Sequence, residues 1–286
     1  MKTNSLAIAI TFKVLLFSAN LACGFQTDIN PDIEMICQGI VKCSTSQNPV
    51  KYVNIGIIGK GIGTVSRPDG RYSLELNPLY DRDTLMFSCI GYHPFKITVG
   101  DFRKLEQHNV FLEKRIIELA EVVVRPGSYR SRTLGHTTRS KSVRAGFKEN
   151  QLGYEMGVAI KIQKHSFIEK VNINIASTSY DTLFYRLNIY SLAEGSEYEN
   201  ILTFPIYLEL PANQLDQTIV LDLSAHSMRV SEDILITLEH IRELGPGHLY
   251  FSAGLRGRTH YRKTSQANWE STPVGIGVSV NVLEVK

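Results

Sequence analysis

Past its first two dozen residues, the chain places apolar side chains at every second position, a period that belongs to half-buried strands rather than helices. Val53, Ile55 and Ile57 point one way; Val171, Ile173 and Ile175 repeat the pattern. Leu183, Tyr185, Leu187 and Ile189 oppose Phe184, Arg186, Asn188 and Tyr190, and Ile276, Val278, Val280 and Val282 form another face. Two short stretches carry helical spacing: Asp101–Gln107, with Asp101 as the N-cap, and Glu239–Leu244. The expected fold class is therefore all-β. With 286 residues, 43% hydrophobic and 21% charged, the chain is long enough for two cores.

Met1-Lys2 precede an apolar run, Leu6–Phe17, broken by Thr11 and Lys13, and small residues surround Ala22-Cys23-Gly24. The pattern predicts a signal peptide over 1–24 and export to the periplasm or the outer-membrane and cell surface, with no transmembrane span in the mature chain. Cleavage near Gly24 is favoured over lipidation at Cys23, because Asn20 stands where a lipoprotein signal carries an aliphatic residue. Removing Lys2 and Lys13 with no acid takes the formal charge from +3 to +1, so charge gives no reason to expect a nucleic-acid partner. Cys37, Cys43 and Cys89 remain. Cys37 and Cys43 lie too far apart along one strand to pair, and two readings stay open for the set: small buried hydrophobes, or a bridge from Cys89 to one of the others.

Between Arg125 and Lys148 the sequence holds seven basic residues, no acid, Pro126 and three glycines. Residues 125–152 are expected to form a solvated basic linker, or alternatively a contact for an anionic envelope surface or acidic partner.

In the preceding stretch the order of motifs is informative: Gly39-Ile-Val-Lys42, Asn48–Ile55, Gly61-Ile-Gly-Thr-Val-Ser66, Asp69-Gly-Arg-Tyr-Ser-Leu74, Thr84–Tyr92 and Leu119-Ala-Glu-Val-Val-Val124. Residues 35–124 resemble the carboxypeptidase-regulatory-like domain of bacterial envelope proteins, especially those of Bacteroidetes. The resemblance implies a prealbumin-like Greek-key β-sandwich of the transthyretin type. Asp69-Gly70 suits a tight turn, and Gly61 and Gly63 suit a bend before the next strand. Gly59-Lys-Gly-Ile-Gly63 lacks the Gly-Lys-Ser/Thr ending and the helix that a phosphate loop needs. A domain similar to this one precedes the plug and barrel of outer-membrane transporters, but the 162 residues after Val124 are too few for a barrel of about 22 strands.

Residues 153–286 contain β-like segments at 153–163, 167–176, 182–191, 217–223, 233–240, 248–255 and 274–284, which predicts a second, jelly-roll-like β-sandwich. Phe184–Tyr190, Asn200-Ile-Leu202 and Val220–Ser224 resemble an unassigned region that accompanies the regulatory-like domain in some Bacteroidetes proteins, a likeness that transfers no activity.

The sequence carries no recognisable catalytic motif. His240-Ile-Arg-Glu243 has the His-x-x-Glu spacing of zinc carboxypeptidases, yet only 46 residues follow His240 and the catalytic domain is absent. There is no Gly-x-Ser-x-Gly elbow. A non-catalytic role is expected, with no metal and no cofactor. Tyr250, Arg256, Arg258, Tyr261, Arg262 and the sole tryptophan, Trp269, fall within twenty residues. Tyr250, Arg256, Tyr261, Arg262 and Trp269 are the candidate ligand-binding residues, since aromatic rings beside guanidinium groups suit a sugar face or a peptide anchor. The alternative is that these rings cap the sandwich core. The expected role is binding, adhesion or scaffolding in the cell envelope with a protein partner, or alternatively carbohydrate binding by the C-terminal sandwich.

Overall fold

The computed structural model describes residues 35–116, 128–193 and 198–286; the signal peptide expected over 1–24, Cys23 and the Glu121–Val124 motif lie outside the described residues. In the first domain, β1 (Met35–Cys43), β2 (Asn54–Ile57), β3 (Ile62–Val65), β4 (Arg71–Leu76), β5 (Thr84–Ser88) and β6 (Phe95–Thr98) lead into the helix α1 (Val99–Arg103) and then β7 (Val110–Leu112). One sheet runs β4-β1-β7 and the other β3-β2-β5-β6, and the two close on a core that includes Val41, Ile55, Leu74, Phe87 and Phe102. Alternation does what it predicts: in β4 Tyr72, Leu74 and Leu76 are buried while Arg71, Ser73 and Glu75 are exposed. Gly70 turns the chain with φ +76°, and a Cβ there would lie 2.6 Å from the Val41 carbonyl oxygen, so glycine is required on both counts. Cys37, Cys43 and Cys89 are all free.

The helix starts earlier than expected. Thr98, not Asp101, is its N-cap: Thr98 Oγ1 accepts from Asp101 N–H at 3.1 Å and donates to the Asp101 carboxylate at 2.7 Å. Asp101 thus closes a reciprocal cap from inside the first turn.

The second domain comprises β8 (Tyr129–Gly135), β9 (Arg144–Phe147), β10 (Glu155–Ile160), β11 (Ser166–Thr178), β12 (Thr182–Ser191), β13 (Glu199–Asn200), β14 (Ile206–Pro211), β15 (Thr218–Asp222), β16 (Met228–Val230), β17 (Ile234–His240), β18 (Leu249–Gly254), β19 (Thr259–Arg262), β20 (Glu270–Thr272), β21 (Gly275–Ile276) and β22 (Val278–Val285). One sheet has the order β13-β12-β17-β10-β19-β20, with β14 also on β12; the other has β21-β18-β11-β22-β8, joined by β9, β15 and β16. Their facing sides bury Val158, Val171, Leu187, Ile236, Phe251 and Val280 in one continuous core. The protein is all-β, two sandwiches in succession.

Two expectations are corrected. The basic stretch is not a linker over its described residues: β8 pairs with β22 from Gly135↔Ser279 to Tyr129↔Val285, and β9 pairs with β18. Both are edge strands, which explains their composition. Leu134 and Phe147 reach the core, while Arg130, Arg132 and Arg144 stand exposed, where charge discourages pairing with another chain. Glu239–Leu244 is not helical either. Glu239 and His240 end β17, locked by antiparallel register to β12 and β10, so tertiary pairing overrides a weak local preference.

Candidate functional site

The outward face of the β12-β17-β10-β19 sheet is where the two domains meet. Register lays four charged residues in one row across it: Arg186 opposite Glu239, Glu239 opposite Glu155, and Glu155 opposite Arg262. All four are buried. Two carboxylates directly opposite one another repel, and the flanking guanidinium groups offset part of that cost. Arg186 donates Nε and Nη2 to Glu239 Oε2 at 3.1 and 2.7 Å; Arg262 holds Glu155 Oε2 with Nε at 2.8 Å and Nη2 at 2.6 Å. Asn188 Nδ2 bridges the two carboxylates at 2.8 Å each. The Tyr190 and Thr237 hydroxyls also donate to Glu155. Burial pushes the Glu155 carboxyl up, with Arg262 pulling it back and Glu239 adding to the rise.

Arg186 reaches beyond its own domain. Nη1 donates to the Tyr52 carbonyl at 2.7 Å and Nη2 to Asn54 Oδ1 at 2.6 Å, so a charge neutralised in the second domain grips the first. Beside it, Tyr52 and Val65 pack against Phe184 and Ile241 in a small apolar cluster of their own, with the Tyr52 and Phe184 ring centroids 5.4 Å apart. The loop after β19 supplies a third contact. Gly56 and Gly63 are paired across β2 and β3, and a Cβ on either would lie 2.4 Å from the Ser265 carbonyl oxygen. Absent side chains therefore let this loop seat on the sheet. Gly59 N–H donates to Gln266 O at 2.8 Å and Gln266 Nε2 to Ser88 Oγ at 2.8 Å. Tyr52 and Gln266 hold φ of +56° and +64°, a left-handed conformation that non-glycine residues adopt at a cost.

A cleft of about 280 Å³ opens beside this network, with Ser88, Cys89, Tyr92, Lys96 and Arg115 on the first domain and Asn188, Tyr190, Tyr198, Glu199 and Arg262 on the second. Burial raises the Cys89 thiol above its ordinary value, Arg186 opposing the rise. A larger groove, about 920 Å³, runs along the other side of the junction past Arg67, Arg71 and Arg242; the polar groups of its buried Ser66 and Tyr72 are already bonded to backbone.

The sequence-predicted residues divide. Arg262 and Trp269 come together: the guanidinium lies 5.0 Å from the indole centroid, and the indole contacts Tyr198 and Tyr190 at 5.4 and 5.9 Å. Tyr250 is elsewhere, on β18 in the other sheet, with Arg144 over its ring at 4.9 Å. Arg256 is exposed in the turn after β18. Tyr261 alternates with Arg262, packs against the sandwich core and donates to Glu270 at 2.9 Å. Arg258 donates to Ser271 at 2.8 Å. Sequence reasoning passed over Glu155, Arg186, Asn188, Glu239 and Tyr190. Two large aromatics, Phe184 and Tyr190, on the supposedly solvated face of β12 were the one available signal.

The zinc-like spacing has another use. His240 Nε2 pairs with the Arg242 carbonyl at 2.8 Å, its ring lies 5.3 Å from that of Tyr185, and burial lowers its pKa. Glu243 accepts from Asn150 at 3.2 Å. Among the described residues no cluster of three or more His, Cys, Asp and Glu side chains is placed to hold a metal ion, and no helix is long and apolar enough to cross a membrane.

These features define an all-β, two-domain protein whose buried charges join one sandwich to the other. Residues 37–124 match the family model of the CarboxypepD_reg-like domain, a domain that is typically non-catalytic. No curated protein matches the chain. Solved structures similar to it include that of the infectious bursal disease virus Gx strain, at 12% identity over 87% of this chain and 62% of that one with a TM-score of 0.20. The infectious bursal disease virus VP2 subviral particle gives 10% identity over 88% and 64% of the two chains, with a TM-score of 0.16. The chain spans less than two thirds of the length of either, and at those scores the likeness carries no argument.

Proposed function

We propose that the protein is an exported, non-catalytic component of a cell envelope that works by binding, adhesion or scaffolding. The observation that carries this reading is Arg186: a buried guanidinium, neutralised by Glu239, spends its remaining donors on Tyr52 and Asn54 of the other domain. Buried charge at this junction serves cohesion, whereas a hydrolytic site needs a general acid or base free to reach a substrate. A pair of sandwiches joined by buried contacts suits a scaffold that presents loops or a cleft. Cell fractionation with mass determination of the amino terminus tests the export reading. Recovery of the full-length, uncleaved chain in the cytoplasm refutes it.

A second reading, carbohydrate binding by the C-terminal sandwich, is favoured by the half-buried Trp269, which lies against a tilted Tyr198 ring and the Arg262 guanidinium, since an aromatic face beside a fixed guanidinium matches the apolar face and hydroxyls of a sugar. On a glycan array, signal lost in Trp269→Ala supports this reading. Absence of any glycan signal, together with specific crosslinking of an envelope protein, supports the scaffold.

A further inference from the structure

We propose that the cleft between the two domains is a binding site for a carboxylated sugar, its carboxylate held by Arg115 and Lys96 and its ring against Tyr198; the proposal deepens the carbohydrate-binding reading and rests on it. Size and position come first. At about 280 Å³ the cleft lies at the lower edge of the roughly 300–1,000 Å³ typical of small-molecule sites, and domain interfaces are a preferred place for such sites. Both domains line it, so it exists only while they are docked.

The charge around the cleft is uneven. Arg186 and Arg262 are neutralised by Glu239 and Glu155. Among the described residues Arg115 is matched by Glu199 alone, at 3.3 Å in a pair whose side chains are 48% and 63% exposed, a weak contact in water. Lys96 is exposed and has no carboxylate partner among the described residues. Among the described residues the cleft lining therefore holds one uncompensated positive charge, Lys96, together with an arginine that a guest carboxylate can take over from Glu199, in the bidentate geometry that guanidinium groups favour.

The remaining surface asks for hydroxyls and a flat apolar face. Arg262 spends Nε and Nη2 on Glu155 and Tyr190, which leaves Nη1 for a guest. Gln266 donates from Nε2 to Ser88, which leaves its side-chain Oε1 to accept. Tyr92 and Tyr198 add aromatic area on opposite domains. A small molecule with one negative charge, several hydroxyls and an apolar ring face matches all three features.

Isothermal titration of the full chain with glucuronate and galacturonate, against glucose and galactose, tests the assignment. One uronate is expected to bind and its neutral parent not to. Lys96→Ala, Arg115→Ala and Tyr198→Ala are each expected to weaken binding about tenfold or more, with unchanged melting temperature for the exposed Lys96 and Arg115 and a modest fall for Tyr198, whose ring also packs against Trp269. Glu199→Gln is expected to tighten it severalfold by removing the competing carboxylate, a gain that misfolding cannot mimic. The proposal is overturned if the wild-type chain binds neither uronate, if the three weakening variants bind as wild type does, or if Glu199→Gln binds more weakly. Glycan-array binding that depends on Trp269 but not on Lys96 or Arg115 sinks the cleft assignment alone. No glycan binding of any kind sinks the carbohydrate reading with it.

Discussion

Replacing Arg186 with methionine keeps most of the side-chain volume and removes every donor. Glu239 Oε2 then loses its 2.7 and 3.1 Å partners and retains only Asn188, while Tyr52 O and Asn54 Oδ1 lose theirs across the junction. A buried ion pair broken from one side costs about 3–5 kcal/mol, because the surviving charge is stranded, and each abandoned acceptor adds about 1 kcal/mol if water reaches it as the junction loosens. The expected loss is on the order of 5 kcal/mol, against the 5–15 kcal/mol at which folded proteins stand. At about 2–4 °C per kcal/mol for chains of this size, the melting temperature falls by roughly 10–20 °C. Adding Glu239→Gln removes the stranded charge but not the lost domain contacts, so the double variant should regain about 2–3 kcal/mol. Urea unfolding followed by the fluorescence of Trp269, the chain's sole tryptophan, together with calorimetry, measures both. The reasoning fails if Arg186→Met costs less than about 1 kcal/mol, or if the double variant is no more stable than the single.

Gly56→Ala and Gly63→Ala each drive a methyl into the Ser265 carbonyl and should cost about 1–3 kcal/mol by overpacking. Gly61→Ala meets no neighbour and carries only the strain of φ +70°, so it should cost about 1 kcal/mol or less; equal melting temperatures for all three would contradict the seated loop. His240 has its pKa lowered by burial, so between the unfolded value of about 6.5 and the lower folded value the unfolded chain binds more protons, and its contribution to stability is lost as pH falls through that window. His240→Phe should flatten the decline in stability below about pH 6.5 relative to wild type; His260, lowered by burial and by Arg258, gives the same sign and remains in both proteins. Because Cys37, Cys43 and Cys89 are free thiols, a reductant should leave the melting temperature unchanged, and a drop of several degrees on adding it would reveal a disulfide.

Much of the fold was legible because it is local. Period-two alternation located β10, β11, β12, β15, β17, β18 and β22 within a few residues of their ends, and Asp69-Gly70 marked its turn. The strands missed, including β8, β9, β13, β14, β19 and β20, are short or lie at sheet edges, where one poorly buried face carries no apolar rhythm. Of the residues expected to share a site, Arg262 and Trp269 do come together, an arginine near a tryptophan being visible in a short window; Tyr250, Arg256 and Tyr261 share that window but not the place, since alternate residues and separate sheets send them apart.

What the sequence by itself determined was the character of each strand: which side is apolar, where the chain turns, and that β12 has a second face bearing Phe184, Arg186, Asn188 and Tyr190. The tertiary structure alone decided that this face is buried. Burying Arg186 is tolerable only with Glu239 beside it, Glu155 and Arg262 completing the row, and Tyr52 and Asn54 arriving from more than 130 positions away in the chain. Those partners are set by strand register and domain docking, and a buried charge is stable only when all of them are met together.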